Sequence, residues 1–422
     1  MSTIPVSNKV AGVIDKLMAD PGIRKALDFL RADEEASFAE LKEMVQVPGP
    51  TFEERKFRSP LFKAKLEQYG AEDCHVDEIG NVIGHINGSA PRPKVMFDTH
   101  LDTVFSMDQP LTITEVPGKK GVYNCPGMAD NTAGMAMLLT VLRAIRHADL
   151  KPRGRLMIVG AVQHEGEGDL QGMKTLYARD KEIDACFSTE TMSEPGAIIN
   201  TAIGVHRYEM TFRGPGGHSW LNFGRPNPIQ ALCRAGAAMS EFVPPTTPQT
   251  SFNLGTVTGG TTVNAIPAEC RAKLDIRSVS NSVLQETDDI MQKMVRDAVA
   301  AENARWNSGE PVTVEFRSIG NRPAGAMGPE TDIVQVFWKA TKAVGLEPIF
   351  WQPLGTNSNV PLSLGVPALG FGGGGTGGNL HTTEEWYCHE HSGQHAGRLL
   401  MAVFAMAGLS GVTEPLAPLM QR

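Results

Sequence analysis

Short apolar segments alternate with amphipathic helical patterns over most of the 422 residues. The apolar segments are predicted strands and cover residues 94–105, 154–163 and 184–190. The helical patterns cover residues 8–46, 132–148, 330–344 and 392–409. Strands that alternate with helices form a mostly parallel sheet sandwiched by helices, and ligands bind beyond the carboxyl ends of the strands. The sequence therefore predicts an α/β fold whose functional residues lie where strands end.

The stretch from about residue 201 to residue 320 has a different pattern, in which two helical segments lie among four amphipathic strands. This pattern is typical of a small α+β domain. Because the alternation of strands and helices resumes after it, the small domain is an insertion. We therefore predict one domain from residues 1–200 and 321–422, with an inserted domain at 201–320.

The charge of the chain excludes two classes of partner. Lysine and arginine total 39 against 47 acidic residues, which gives a formal net charge of −8, and no basic run stands out. Nucleic acids and anionic membranes are therefore not expected partners. The N-terminal segment lacks the basic start and apolar stretch of a secretory signal, and the longest apolar runs have about half of the ~20 residues of a membrane-spanning helix. We expect a cytoplasmic protein.

His100 and Asp102 stand at the end of the first predicted strand. Residues two apart on a strand point to the same face, and a metal-binding imidazole usually donates its second N–H to a carboxylate or another acceptor. The pair is also compatible with an ordinary polar strand end. Asp130 follows in a loop rich in glycine and proline, where it could bridge cations or cap the next helix. Each position alone leaves a structural interpretation open.

Further strand ends carry residues of the same types. His164, Glu165, Glu167 and Asp169 follow the second strand, Glu190 ends the third, and His381 follows a glycine-rich stretch. The six cysteines lie far apart without a CxxC pair, so a thiolate site is not expected. Two imidazoles and three carboxylates at strand ends match the ligands of Zn²⁺, Mn²⁺ or Co²⁺, including a pair of ions that share a carboxylate. The sequence therefore predicts a divalent transition-metal site, for Mn or Zn, with one or two ions per chain.

Six motifs occur in a specific order, HLD, GMADN, EGEGDLQG, GPGGHS, NAIP and GGNLH. This order resembles that of the metal-dependent aminoacylase, peptidase T and glutamate carboxypeptidase family, and the resemblance covers nearly the whole chain. It implies a zinc-exopeptidase-like catalytic domain that binds two metal ions. It also implies that the inserted domain is a lid through which the protein forms a homodimer.

The resemblance implies roles for individual residues. Carried over one by one, His100 and Glu190 bind one ion, Glu165 and His381 bind the other, Asp130 bridges the two, and Asp102 orients His100. In the inserted domain, His218 reaches across the dimer toward the developing oxyanion, and Asn264 contacts the substrate. Hydrogen bonds that form only with such a transition-state oxyanion raise the rate. Arg322 either binds a substrate carboxylate or has a structural role.

The chain departs from the family pattern at His164. Family members commonly have a glutamate here that acts as general base, so the alignment makes His164 the catalytic residue at this position and keeps Glu165 as a ligand. A shifted alignment makes Glu165 the base and Glu167 the ligand, but it breaks the G-D-L-x-G match. An imidazole beside dications is held neutral and is a weaker base, or it becomes an additional ligand. Peptide hydrolysis suffers most from this exchange because its amine leaving group needs a proton.

We therefore expect a metal-dependent hydrolase of a C–N bond in a small carboxylated substrate, since a divalent cation activates water as a nucleophile. The exchange at His164 resembles the altered site of a family member that displaces ammonia from an electron-poor aromatic ring. The specific expectation is hydrolytic deamination of an aromatic amino acid-type compound such as 5-nitroanthranilate. The alternatives are an ordinary aminopeptidase, tripeptidase or N-acyl amino acid amidohydrolase, and a non-catalytic ligand-binding homologue.

Overall fold

The computed structural model describes residues 4–190, 192–306 and 310–422. The chain divides into two compact units, one of Met1–Ala202 with Ala326–Arg422 and one of Ile203–Gly325. The second unit is thus inserted into the first along the sequence. Its boundaries lie close to the predicted ones at 201 and 320. Arg322, which the sequence assigned to the larger domain, belongs to the second unit.

The helices are distributed over both units, with α7 and α8 in the second and the others in the first. In chain order they are α1 (Asn8–Ala19), α2 (Pro21–Ala32), α3 (Glu34–Val45), α4 (Arg58–Gln68), α5 (Ala133–His147), α6 (Gln171–Arg179), α7 (Pro228–Ser240), α8 (Asn281–Trp306), α9 (Asp332–Ala343), α10 (Asn359–Ser363) and α11 (Ser392–Ala407). Among the described residues, no helix combines the length and apolar character needed to cross a bilayer.

The strands of the second unit are β10 to β15. In chain order the strands are β1 (Glu72–Val76), β2 (Val82–Ile86), β3 (Lys94–His100), β4 (Thr114–Glu115), β5 (Val122–Asn124), β6 (Arg155–Ala161), β7 (Ile183–Glu190), β8 (Ala197–Ile199), β9 (Thr201–Ala202), β10 (Gly204–Arg213), β11 (Gly217–His218), β12 (Thr250–Gly259), β13 (Ala265–Ile266), β14 (Glu269–Ser278), β15 (Thr313–Arg322), β16 (Gly325–Ala326), β17 (Ile349–Phe350), β18 (Ala368–Gly372), β19 (Thr376–Gly378) and β20 (Trp386–Cys388).

The main sheet of the first unit has eight strands in the order β1-β2-β6-β3-β7-β18-β8-β17. Its four central strands, β6, β3, β7 and β18, are neighbours and run parallel to one another. Every residue of β3 and β7 is buried, as expected for parallel strands covered on both faces. The α/β fold class predicted from the sequence is confirmed. The carboxyl ends of the four central strands meet at one edge of the sheet.

Helices cover this sheet and form the core. The helix α11 packs against α2, α5 and α9 and is buried around nearly its whole circumference. The N-terminal helical pattern at 8–46 forms three helices rather than one. The first break lies at Asp20, whose carboxylate accepts the N–H of Ile23 over 3.0 Å while Pro21 occupies the first position of α2. An aspartate N-cap followed by proline is a strong signal for a new helix.

The second unit contains a four-stranded antiparallel sheet in the order β12-β14-β10-β15. Helices α7 and α8 both pack against β10 and β14. Buried and exposed residues alternate along much of β14, the pattern of a sheet with one covered face. The two-stranded ribbon β11–β13 lies outside this sheet. Two helices on four strands correspond to the pattern in the sequence.

Candidate metal centre

The sheet topology brings metal-ligand side chains to one edge. His100 is the last residue of β3, and Glu190 is the last residue of the adjacent parallel strand β7. Glu165 follows β6, and His381 follows the glycine-rich connection after β18. Within the described residues, potential ligand atoms within 4.8 Å of one another form three groups, namely His100–Asp130–Glu190, Asp130–Glu165–His381 and His100–His164–Glu165. All five residues that the sequence proposes as ligands are therefore together.

Asp130 is shared between two of these groups. Its Oδ1 lies 3.1 Å from Nε2 of His100, and its Oδ2 lies 3.1 Å from Nε2 of His381. His381 Nε2 is also 3.1 Å from Oε1 of Glu165. One carboxylate that faces two imidazoles through its two oxygens has the arrangement required of a bridging ligand.

The backbone around Asp130 is irregular and is held from the side by a buried glutamate. Asp130 has φ −113° and ψ 93°, outside the helical region. Its N–H donates to Oε1 of Glu385 over 3.1 Å, and Glu385 is fully buried. The N–H of Gly134, in the first turn of α5, donates to Oδ1 of Asn131. The side chain of Asn131, not that of Asp130, therefore accepts from the first turn of α5, and the carboxylate of Asp130 is directed at the histidines.

Asp102 contacts Nδ1 of His100, the ring nitrogen that does not face Asp130. Its carboxylate lies 3.5 Å from Nδ1 of His100, and its backbone carbonyl lies 3.0 Å from the same nitrogen. The carboxylate also accepts the backbone N–H groups of His164 and Glu165, over 3.1 and 2.8 Å, and the hydroxyl of Thr51 over 3.0 Å. Burial opposes ionisation of Asp102, but its hydrogen bond to His100, the charge of His100 and, to a lesser extent, the N–H of Glu165 hold its pKa at about 2. Asp102 therefore orients His100 through its backbone carbonyl and its nearby carboxylate, and the carboxylate fixes the backbone that carries Glu165.

The surrounding carboxylates favour the protonated form of both histidines among the five residues. Burial disfavours a charged His100, but the carboxylates of Asp102 and Asp130 outweigh it and raise the pKa of His100 well above its ordinary value. Hydrogen bonds to Asp130 and Glu165 raise the pKa of His381 to about 10. Burial opposes ionisation of Asp130, yet both imidazoles hold its pKa below the ordinary value. The carboxylates of the cluster therefore favour positive charge at this site, which suits the binding of divalent cations.

Glu190 shows that the residues present fit a cation. Its Oε1 is buried and has no hydrogen-bond partner among the described residues. Burial raises the pKa of Glu190 well above its ordinary value, and the charges of Asp130, Asp98 and Glu165 raise it further. A buried carboxylate without a partner and beside other carboxylates is costly unless a cation binds there. The donor set of carboxylate oxygens and imidazole nitrogens is that of Zn²⁺, Mn²⁺ and related ions.

His164 lies inside this cluster. Its ring stacks on His100, with ring centroids 4.1 Å apart and an interplanar angle of 12°. Its Nδ1 is 2.9 Å from Oδ1 of Asn357. Glu165 contributes to two of the ligand groups, whereas Glu167 is exposed and contributes to none within the described residues. The geometry thus agrees with the alignment that keeps Glu165 as a ligand, not with the shifted one.

Sequence reasoning missed three buried polar residues at this site, namely Asp98, Asn357 and Glu385. Asp98 directly follows the apolar run Val95–Phe97 within the fully buried strand β3, which is a readable signal because a buried acidic residue needs partners. Asn357 lies in a polar loop and Glu385 is one of two adjacent glutamates. Nothing in their local sequence separates them from exposed loop residues.

The other predicted residues belong to the second unit. His218 in β11 pairs with Ala265 in β13, and the adjacent Ser219 N–H donates to the carbonyl of Asn264 over 3.0 Å. His218 Nδ1 accepts backbone N–H groups over 3.2 and 3.4 Å, so its Nε2 carries the hydrogen of the neutral ring. Arg322 is buried at the end of β15. The roles of His218, Asn264 and Arg322 in catalysis or substrate binding stay predictions.

Curated relatives match part of the chain. A probable carboxypeptidase of Aspergillus flavus is 24% identical over 229 residues, which cover 50% of this chain and 52% of that protein. The protein YgeY of Escherichia coli K12 is 28% identical over 134 residues, 30% of this chain and 31% of its own. The chain therefore spans about a third to about half of the length of these relatives.

A solved structure and a family model match much more of the chain. The crystal structure of a tripeptidase from Staphylococcus aureus superposes with a TM-score of 0.73 at 20% identity and covers 88% of this chain and 97% of that one. This likeness shows the fold. Residues 96–405 match the model of the peptidase family M20/M25/M40, in agreement with the family resemblance of the motifs. Since this match includes most of the chain, the protein belongs to peptidase family M20/M25/M40.

Proposed function

We propose that this protein is a metal-dependent hydrolase that cleaves a C–N bond in a small substrate with a carboxylate group. The observation that carries the proposal is the shared position of Asp130, whose two carboxylate oxygens face His100 and His381 at 3.1 Å each. A buried, orphaned oxygen on Glu190 supports it. The membership in a peptidase family agrees with hydrolysis of a C–N bond.

In this proposal the five clustered residues hold the metal. His100 and Glu190 would hold one ion, Glu165 and His381 would hold a second, and Asp130 would be shared between them, in keeping with the groups of ligand atoms. A divalent cation at such a site supplies Lewis acidity and lowers the pKa of water from about 15.7 toward about 7. Whether the native ion is manganese or zinc follows from the metal content of the purified protein.

The other predicted site residues have distinct roles. Asp102 orients His100 and holds the backbone of residues 164–165. His164 supplies a hydrogen-bonding or proton-accepting nitrogen beside the metal ligands. In the second unit, His218 has its Nε2–H available as a donor, since Nδ1 accepts two backbone N–H groups. A neutral donor of this kind suits an oxyanion that develops in the transition state.

The histidine at position 164 bears on the substrate. Where the family commonly has a glutamate, this chain has a side chain without negative charge, so the cluster is one charge more positive. That change favours an anionic substrate and an addition step whose negative charge is spread over a large group. It disfavours a reaction in which a strong base must pass a proton to a poor amine leaving group.

The specific substrate that we propose on this basis is an aromatic amino acid-type compound with an electron-withdrawing group, such as 5-nitroanthranilate. The oxygen of water adds to the amine-bearing carbon, and the negative charge spreads over the ring and the nitro group. A proton from that water passes to the amine, the C–N bond breaks, and ammonia leaves. The second candidate is an aminopeptidase, tripeptidase or N-acyl amino acid amidohydrolase. Its support is the named carboxypeptidase among the relatives and the fold of the tripeptidase.

A substrate screen separates these candidates. The full chain, loaded with Mn²⁺ or Zn²⁺, is incubated with an aminobenzoate that carries a para nitro group, and ammonia release is measured. Tripeptides and N-acyl amino acids are assayed in parallel, with Asp130→Asn as the metal-site control. Ammonia release that is absent from the control supports deamination. Turnover of peptides or acylated amino acids alone supports the second candidate, and metal binding without any turnover supports a ligand-binding homologue.

A further inference from the structure

A buried chain of hydrogen bonds connects His164 to the interior of the sheet. His164 Nδ1 is 2.9 Å from Oδ1 of Asn357, and Nδ2 of Asn357 is 2.7 Å from Oδ1 of Asp98. Asp98 and Asn357 are at most 1% exposed. None of the ligand roles described above uses this chain, and it joins three segments that are far apart in sequence.

The carboxylate of Asp98 determines which way the Asn357 amide points. Its Oδ2 accepts the hydroxyl of Ser188 over 2.8 Å and the thiol of Cys186 over 3.3 Å. Its Oδ1 accepts from Nδ2 of Asn357 over 2.7 Å. The NH₂ group of Asn357 therefore points at Asp98, and its carbonyl oxygen points at His164. The opposite orientation would set two acceptors against each other.

The orientation of Asn357 in turn determines the tautomer of His164. A carbonyl oxygen can only accept, so Nδ1 of His164 must carry a hydrogen. The neutral imidazole has one ring hydrogen, and the lone pair is therefore on Nε2. The hydrogen bond made by one ring nitrogen sets the state of the other. Stacking of the ring on His100 at 4.1 Å additionally restrains its plane.

The loop that carries Asn357 is itself braced. The N–H of Thr356 donates to Oδ1 of Asn359 over 2.7 Å, and the N–H of Ser358 donates to Oγ1 of Thr356 over 3.1 Å. Residues 356–359 are all at most 1% exposed. On the other side, Asp98 is two residues before His100 on the same buried strand. Asn357 and Asp98 are thus both on rigid elements.

We propose that Asn357, oriented by Asp98, is a positioning residue that fixes His164 as the Nδ1–H tautomer and presents Nε2 as an acceptor at the metal centre. The role of that acceptor, as proton acceptor or additional ligand, rests on the proposed function. The tautomer itself does not. An Nε2–H ring would present a donor, which can neither bind a cation nor accept a proton. The hydrogen-bond chain thus gives the histidine the acceptor character that a carboxylate has at this position.

The direct test determines the tautomer of His164 by NMR. The full chain, with its 11 histidines labelled with ¹⁵N, is studied by NMR in the zinc-loaded and the chelator-treated form, and His164→Gln assigns the signals. The wild type is expected to show hydrogen on Nδ1 of His164 in both forms. Asn357→Leu, which removes the acceptor at similar volume, is expected to yield a ring with hydrogen on Nε2 or a mixture. Wild-type protein with hydrogen on Nε2 overturns the proposal.

Two variants keep the test decisive if Asn357→Leu does not fold. Asn357→Asp retains an acceptor for the Nδ1 hydrogen and shares one proton with Asp98, so the wild-type tautomer is expected to persist. Ser188→Ala removes one donor to Asp98 but leaves both bonds of Asn357 in place, and it is the matched control. A changed tautomer in Ser188→Ala or in Asn357→Asp contradicts a role that depends on the acceptor.

Measurements of kcat and KM on the same variants separate this inference from the proposed function. For whichever substrate the screen identifies, kcat of Asn357→Leu is expected to fall by about 10- to 100-fold with little change in KM, the usual cost of losing a residue that orients a metal-site group. Asn357→Asp is expected to retain part of the kcat that Asn357→Leu loses. If no substrate is turned over, the proposed function fails while the tautomer result stands. If kcat is unchanged although the tautomer changes, His164 is not an acceptor in the reaction.

Discussion

Two buried carboxylates, one in each unit, have opposite surroundings. Asp288 in α8 of the second unit accepts hydrogen bonds from His206 over 2.8 Å, from Tyr208 over 2.7 Å and from Gln292 over 2.9 Å. Glu190 at the end of β7 has a buried oxygen without a partner among the described residues and has carboxylates as neighbours. Both are nearly or fully inaccessible to solvent, so burial alone does not separate them.

The difference separates a buried carboxylate whose hydrogen bonds come from the protein from one that needs a bound cation. Burial opposes ionisation of Asp288, but its three donors hold its pKa below the ordinary value. Burial raises the pKa of Glu190 far above it. A carboxylate whose neighbours satisfy it stabilises the fold, whereas one surrounded by like charges needs a cation. The cluster in the first unit therefore has the surroundings expected of a cation site, whereas the Asp288 cluster has those of a structural hydrogen-bond network.

The largest effect is expected for Asp130→Asn. Because Asp130 faces both histidines, the change removes the shared charge from two ligand groups at once. Loss of residues that merely orient metal ligands costs 10–100-fold, so activity is expected to fall by more than about 100-fold. Metal content, measured by mass spectrometry after gel filtration, is expected to fall as well. If the variant retained full metal content and full activity, Asp130 would not be a metal ligand.

Metal should stabilise the first unit and leave the Asp288 cluster unaffected. A metal present at 100 times its Kd is expected to add about 2.7 kcal/mol to the free energy of unfolding, and chelation is expected to remove it. Asp130→Asn should lose most of this increment, whereas Asp288→Asn should retain it. The measurement is thermal unfolding with and without added Mn²⁺ or Zn²⁺. If both variants lost the metal-dependent gain in unfolding free energy equally, the two clusters would not differ in metal binding.

Asp102→Asn tests the support of the metal ligands. The change keeps the volume but removes the charge near His100 and weakens acceptance from the backbone N–H groups of His164 and Glu165. Metal affinity or activity is expected to fall by about 10- to 100-fold, less than for Asp130→Asn. Titration with metal followed by calorimetry gives the affinity. An effect as large as that of Asp130→Asn would mean that Asp102 itself binds the ion.

The smallest effect is expected for Asp288→Asn at neutral pH, a loss of about 1 kcal/mol from weaker hydrogen bonds. The folded pKa of Asp288 is below the unfolded value of about 3.9. Its charge therefore stabilises the fold above about pH 3.9, and this contribution disappears as the pH falls through the folded pKa. Urea unfolding at pH 7 and below pH 4 is expected to show the difference between variant and wild type shrinking in acid. A constant difference would contradict the pKa shift.

The features that could be predicted from the sequence follow from the strand–helix alternation. Parallel strands bring their carboxyl ends to one edge, so His100, Glu165 and Glu190 had to be close once their strands were identified. The division at Asp20–Pro21 was also readable, although the periodicity alone predicts one helical segment over residues 8–46. Local signals of this kind need no knowledge of distant contacts.

The contacts to Asn357 and Glu385 could not be predicted in this way. Asn357 meets Asp98 across 259 positions of sequence, and Glu385 meets the backbone of Asp130 across 255. Both residues lie in polar loops, where asparagine and glutamate are ordinary surface residues. Only the folded arrangement shows that they are buried and orient the site. Asp98 is the one member of this set whose presence in an apolar strand signalled a buried partner.

The central claim is that Asp130 and its four partners converge on divalent cations. Anomalous scattering from crystals of the full chain soaked in Mn²⁺ or Zn²⁺ tests it most directly. We predict a peak between His100, Asp130 and Glu190, and a second between Asp130, Glu165 and His381 when both positions fill. Ordered side chains with no anomalous peak between them would contradict the account.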